Sequence, residues 1–272
     1  MGRVSNPKME EVYFEIIKKS FRQRFAYKID SYLSIIGTLT TLFIQISLWY
    51  ALIDKGGNVN GISFMNMFDY LVINTIVLAL VDSNAGNELA KRVQDGSVSI
   101  DLIRPVSLKY FLLAQDVGNN LFKTLFSVLP VCLVSIAIFG FTVPADTGSF
   151  FLFVFSIVNG IIIIFHINYI FGLLAFWLNS TWFISWYTTA LFRLFGGTLV
   201  PIWFYPRVLQ NMSEFLPFKL ITFAPIEIYI GRLSLRSSVF VVLTQFLWIS
   251  ILIFIEKLVW HRAQNKLTIQ GG

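Results

Sequence analysis

Arg193 stands alone in an apolar and aromatic run, TTALFRLFGG, just before the pair Gly196-Gly197. A guanidinium in that setting has two chemistries open to it. It can meet an anionic headgroup bidentately, or it can form an internal ion pair that fixes helix geometry, with Asp69 or Glu227 as the candidate acid. His166, Asn159 and Asn168 share one long apolar stretch and Gln45 lies in another. Polar side chains so placed either line a substrate path or hydrogen-bond between helices. Asp116, Asn120 and Lys123 share one helix face, which suits an inner vestibule or a helix that extends into the cytosol. With Asp82 and His166, Asp116 also suits a proton path.

Other chemistry lacks its residues. A phosphate-cradling loop needs G-x-x-x-x-G-K-[ST] after a strand, and the sequence contains none. Two histidines, His166 and His261, and one cysteine, Cys132, leave no zinc motif and no disulfide framework. No soluble stretch approaches the ~100 residues of an ATPase domain. The chain is therefore expected to bind no cofactor and to catalyse nothing by itself; energy for any work comes from a partner or an ion gradient.

Two further stretches carry information. Ser83 to Val106, SNAGNELAKRVQDGSVSIDLIRPV, is polar. Glu88, Leu89, Lys91, Arg92 and Val93 form a short helix ended by Asp95-Gly96, and Arg104-Pro105 sets the entry to the next helix. Gly196 to Arg232 is too apolar for an external loop, yet Pro201, Pro206, Pro217 and Pro225 forbid one continuous helix. Short amphipathic pieces such as Val208–Leu216 fit a segment that dips into the membrane and returns. Irregular backbone at that depth is tolerated only where protein or a water-filled cavity covers it, so this stretch is a wall or lid.

The elements that hold these residues follow from composition. Of 272 residues 56% are hydrophobic and 13% charged, against about 25% charged in soluble domains. The chain reads as all-α and integral to the membrane. About 20 apolar residues cross a bilayer, which gives six spans: Tyr32 to Ile53, Ile62 to Val81, the apolar half (Thr124 to Phe141) of a helix from Leu108, Phe150 to Leu178, Trp182 to Leu199, and Val239 to Leu258. Asn6-Pro7 reads as a helix start. Behind it, Met9, Val12, Tyr13, Ile16, Ile17, Phe21 and Phe25 recur at helical spacing, with Lys8, Glu11, Glu15, Lys18, Lys19 and Arg22 on the rest of the wheel. This predicts an amphipathic helix over 7–28 lying on the membrane surface. No cleavable leader is expected, because Met1 to Tyr27 is charged throughout.

Basic residues near span ends orient the protein. The N-terminal segment, the loop after the second span and the C-terminal segment hold most of them, and six spans put all three on one side. That side is cytoplasmic, so both termini are expected inside; Arg207, Lys219, Arg232 and Arg236 run against the rule. The formal charge of +6 is absorbed by this topology, and no nucleic-acid partner is expected.

The ordered set of motifs resembles the permease subunits of type-2 ABC exporters. GSVSIDLIRPVSL is similar to the "Gly, short spacer, Leu-Leu-x-Pro-Val-Ser" element that follows their coupling helix. The double Gly, Val200-Pro201, the aromatic run into Pro206, Leu216-Pro217-Phe218 and Ala224-Pro225-Ile226 resemble the segment after their fifth helix. The ending Trp260-His261-Arg262 … Ile269-Gln270-Gly271-Gly272 looks like a subgroup often encoded as two permeases beside one ATPase. The short loop after the third span departs from the macrolide-exporter class. The resemblance implies a single permease domain over 1–272, with a connecting helix (7–28), a cytoplasmic coupling loop (83–106) and a re-entrant external segment (200–232). It also implies a bacterial plasma-membrane location and a cytosolic ABC ATPase that carries ATP and Mg. A second permease, identical or homologous, would complete a dimeric exporter of an amphiphilic or hydrophobic substrate. Glu88, Lys91, Arg92, Asp95 and Arg104 would be ATPase-coupling residues; Arg193, His166, Gln45 and Asn168 the substrate path; and the four prolines the gate. The alternative class is a secondary transporter driven by an ion gradient.

Overall fold

The computed structural model describes residues 9–54, 62–140, 146–178 and 182–270, all-helical with no strand among them. The Asn6-Pro7 cap, residues 142–145 of the loop before the fourth span, and Gly271-Gly272 lie outside the described residues. In order come α1 (Met9–Gln23), α2 (Lys28–Asp54), α3 (Phe64–Leu80), α4 (Ala85–Gln94), α5 (Val98–Ile103), α6 (Leu108–Lys123), α7 (Leu129–Phe139), α8 (Thr147–Leu173), α9 (Phe183–Phe195), α10 (Arg207–Glu214), α11 (Phe223–Tyr229) and α12 (Leu235–Gln270).

The helices start where the sequence supplies a cap. Ser63 accepts from the Asn66 N–H at the head of α3, and Asp146 accepts from the Ser149 N–H at 2.9 Å at the head of α8. Such side-chain oxygens satisfy N–H groups that have no partner inside the helix. α6 and α7 form one rod interrupted by a π-turn at Thr124–Val128. Pro130 at the start of α7 lacks an N–H and its ring crowds the preceding turn; the wider turn relieves that crowding.

Five helical stretches are long and apolar enough to cross a membrane: 29–53, 64–94, 108–139, 147–176 and 235–266. The fifth predicted span, Trp182 to Leu199, differs. It holds the 13-residue α9, about 20 Å long at 1.5 Å per residue, short of the ~30 Å hydrocarbon core. Gly196-Gly197 ends it early, with Gly197 at φ +71°, a backbone state only glycine adopts without strain.

α8 and α12 form the largest helix pair of the core and run parallel. Gly148 lies beside Leu235, Ser156 bonds Gln245, His166 bonds Glu256, and Phe176 meets Trp260. Residue numbers rise together along both helices, so the chain between them must return the length of α8. α3 is antiparallel to α6–α7: Phe68 stacks near Phe139, and Asn120 caps the Leu80 carbonyl. α1 does not lie free. Tyr13 packs on Tyr110, Phe21 and Phe25 on Phe122, and the α6 backbone at Gly118 abuts Ile17, whose carbonyl a Cβ would reach at 2.4 Å. Phe14 and Met9 stay exposed, so α1 keeps an outward apolar edge beside its α6 contact.

Candidate coupling interface and membrane-depth site

The predicted coupling stretch folds as α4 and α5 around Gly96, whose φ of +77° makes the sharp turn. α4 is seated on α8 by two glycines. A Cβ on Gly86 would sit 2.4 Å from the Asn168 carbonyl oxygen, and one on Gly172 would sit 2.7 Å from the Gly86 oxygen. Backbone thus meets backbone, with Ala85, Leu89 and Ala90 buried around the crossing. Asp116 ties the loop's entry to α6, accepting from Ser83 Oγ at 2.7 Å and from the Asn84 N–H at 3.2 Å.

The predicted coupling residues divide. Arg92 and Arg104 both pair with buried Asp101, at 2.6 and 2.8 Å, Arg92 largely covered and Arg104 exposed. Lys91 and Asp95 are exposed and Glu88 half-exposed. Asp95 accepts from Ser97, which with nearby Lys91 and Arg92 holds its carboxyl below the ordinary range. α5 adds apolar surface next to this charged face: Ile100 is 56% and Ile103 83% exposed.

A second buried acid, missed by the sequence reading, completes the cluster beside α5. Glu256 of α12 pairs with Lys109 Nζ at 2.8 Å and with His166 Nδ1 at 2.5 Å. Asp101 and Glu256 line one cleft of about 350 Å³ with Tyr169 and Trp260. The signal was present: an acid inside ILIFIEKLVW is costly in a span without a partner.

The proline-rich stretch is a chain of short helical pieces, and the prolines open them. Pro201 and Pro206 precede the turns at Ile202–Phe204 and α10, Pro217 begins the turn at Pro217–Leu220, and Pro225 sits in the first turn of α11. At those positions a missing N–H leaves nothing unsatisfied. The segment reaches deep. Ile221 lies against Gly160, where a Cβ would stand 2.9 Å from the Ile221 oxygen, and Gly160 is about 20 Å along α8 from Thr147. Gln245, wholly buried, donates to the Leu220 and Ser156 carbonyls at 2.8 and 2.9 Å. At the end of α9, Thr222 Oγ1 donates to the Gly196 carbonyl, Tyr70 OH to Gly197 and Asn74 Nδ2 to Thr198. Trp203 donates to Glu227 at 2.7 Å and lies under the Arg232 guanidinium at 4.2 Å.

The four residues assigned to a substrate path are not brought together. His166 is committed to Glu256. Asn168 donates to the Ile164 carbonyl of its own helix. Gln45 is half-buried on α2. Arg193 is exposed on α9 and pairs with neither Asp69 nor Glu227; the ion-pair alternative is not what the structure holds. Of the proton-path residues, Asp116 caps the loop entry and Asp82 pairs with Lys123 at 3.0 Å.

Several long apolar helices, one short helix broken at a glycine pair, a proline-rich segment packed on α8 and α12, and a polar loop seated on a span make this a multi-pass membrane protein. The chain belongs to the family described as ABC-2 family transporter protein, which matches residues 38–271. It is therefore an ABC transporter permease, a kind of membrane subunit that is generally non-catalytic and whose membership implies partnership with an ABC ATPase. No curated protein matches the chain.

Proposed function

We propose that this permease exports an amphiphilic or hydrophobic substrate, such as a lipid-linked molecule, a peptide or a drug-like compound. The work is driven by ATP hydrolysed with Mg on a separate cytosolic ATPase. One observation carries the reading: α4 is packed backbone to backbone on α8 while Lys91, Asp95 and Glu88 face outward. A helix so seated passes on a push from a docked subunit as movement of a span, whereas a loosely hung loop would absorb it. Arg92 and Arg104, held by Asp101, act in this reading by stiffening the loop, and Lys91, Asp95, Glu88, Ile100 and Ile103 meet the ATPase.

In the same reading the chain makes six crossings with both termini in the cytoplasm of a bacterial cell. The parallel run of α8 and α12 supports this, since an upward crossing through α9 and the Gly196–Pro201 extension must separate them. A second permease, the same or homologous, packs on α2 and leaves a cavity that α9 borders. The outward stripe Gly37, Thr40, Ile44, Ser47 and Ala51 on α2 is exposed and made mostly of small residues, which let membrane helices approach closely. The re-entrant prolines shape the outer gate. Chemistry in this chain is binding and conformational coupling.

The test is transport in proteoliposomes of the permease with its ATPase, using a fluorescent amphiphile. Movement should require ATP and survive collapse of a proton gradient. Movement by the permease alone, driven by the gradient, would overturn the proposal in favour of a secondary transporter.

A further inference from the structure

α9 carries a charge on an open face. Trp182, Trp186, Thr189, Ala190, Arg193 and Leu194 are all exposed and fall on one side of the helix by their three- and four-residue spacing. The depth of Arg193 is fixed by neighbours. Gly197 and Thr198 are bonded to Tyr70 and Asn74, which puts them roughly 9 to 15 Å along α3 from Phe64 at 1.5 Å per residue. Arg193 lies one turn deeper. An arginine facing hydrocarbon there is costly, so this face looks into a polar space or onto a counter-charge.

Another copy of the chain does not supply that counter-charge from its described residues. Its exposed carboxylates lie at or beyond the span ends: Glu10, Glu11 and Glu15 on α1, Asp30 at the start of α2, Asp82 and Asp95 around α4, Asp146 capping α8, and Glu214 on α10. Acids at depth are occupied or turned inward, with Glu256 held by Lys109 and His166 and Glu227 by Trp203. We infer that Arg193 is the anchor for an anionic headgroup: the transported amphiphile carries a phosphate or like anion that the guanidinium grips, while its apolar body lies along Trp186. This rests on the export reading above and names the substrate class for it. Arginine suits the role because its planar fork matches an oxyanion bidentately and is always charged, and an indole on the same face gives the chain of an amphiphile a flat apolar contact.

The test uses the full chain in phosphatidylcholine nanodiscs with a trace of either phosphatidylglycerol or phosphatidylcholine carrying an acyl-chain diazirine. Photo-crosslinks are mapped to residues 182–194 by mass spectrometry. Wild type should crosslink the anionic lipid at least tenfold over the zwitterionic one at equal mole fraction. Arg193→Gln should bring the ratio to within threefold of unity, and Arg193→Lys should keep most of it. Equal labelling by both lipids in wild type, an unchanged preference in Arg193→Gln, or a face shielded from both lipids by a partner subunit's carboxylate would each overturn the inference. ATP-driven transport of an uncharged amphiphile would survive that failure, so the export reading and this one fall separately.

Discussion

α8 is gripped at two places by very different means. Near its C-terminal end Gly172 meets Gly86 of α4, and the surrounding bonds are ionic: Glu256 with Lys109 and His166, Asp101 with Arg92 and Arg104. At mid-length Gly160 meets Ile221 of the re-entrant segment, and the bonds are neutral, from the Gln245 amide to two carbonyls. Glycine gives both contacts backbone-to-backbone stiffness. The ionic grip borders a cleft of about 350 Å³ and an exposed Arg104. The neutral grip lies in the dry centre, where an unmatched charge is far more costly than an amide. On the reading proposed above, the α4 end of α8 would take the force and the mid-length contact would be a fixed attachment.

Breaking the ionic grip should have the largest effect. Glu256→Leu strands Lys109 on an apolar surface; removing one partner of a buried pair costs about 3–5 kcal/mol, and the partial exposure of Lys109 puts this case at the lower end. Unfolding in mixed micelles should show the loss, and Glu256→Leu with Lys109→Met should recover most of it. Additive costs would show that the pair is not coupled. Next comes the neutral grip. Gln245→Leu leaves the Leu220 carbonyl without its side-chain donor, a loss of about 1–3 kcal/mol, and should open the 217–230 segment to hydrogen exchange while leaving 85–104 protected. Exchange that rises equally in both segments would erase the distinction between the two ends. The smallest stability effect belongs to Lys91→Glu, within ~0.5 kcal/mol because the side chain is exposed and away from the packed features. Arg92→Glu, by contrast, sets a second carboxylate against buried Asp101 and should unfold the loop.

Much of this was legible in the residues. Five of the span positions followed from apolar length, the short helical pieces of 196–232 from four prolines in an apolar stretch, and the α4 turn from Asp95-Gly96. α9 was read too long because hydropathy continues through Gly196-Gly197 and Val200 while the backbone does not. The glycine seats at 86 and 172 were hidden, since a lone glycine in a helix says nothing of the partner 86 residues away that needs the space. Arg92 was read as a docking residue because nothing local reveals that Asp101, nine residues on, folds back beneath it. Arg193 stood out from its apolar surroundings alone, but that it pairs with neither Asp69 nor Glu227 depended on where those acids turned.

The measurement closest to the central claim is co-purification of the tagged permease with its ATPase, wild type beside Lys91→Glu, with unfolding followed on the same samples. The account predicts a stoichiometric ATPase with wild type, lost at least tenfold in Lys91→Glu while stability stays unchanged. A permease that purifies without any ATPase, or a Lys91→Glu variant that keeps it in full, would contradict the claim that this loop is where the chain is driven.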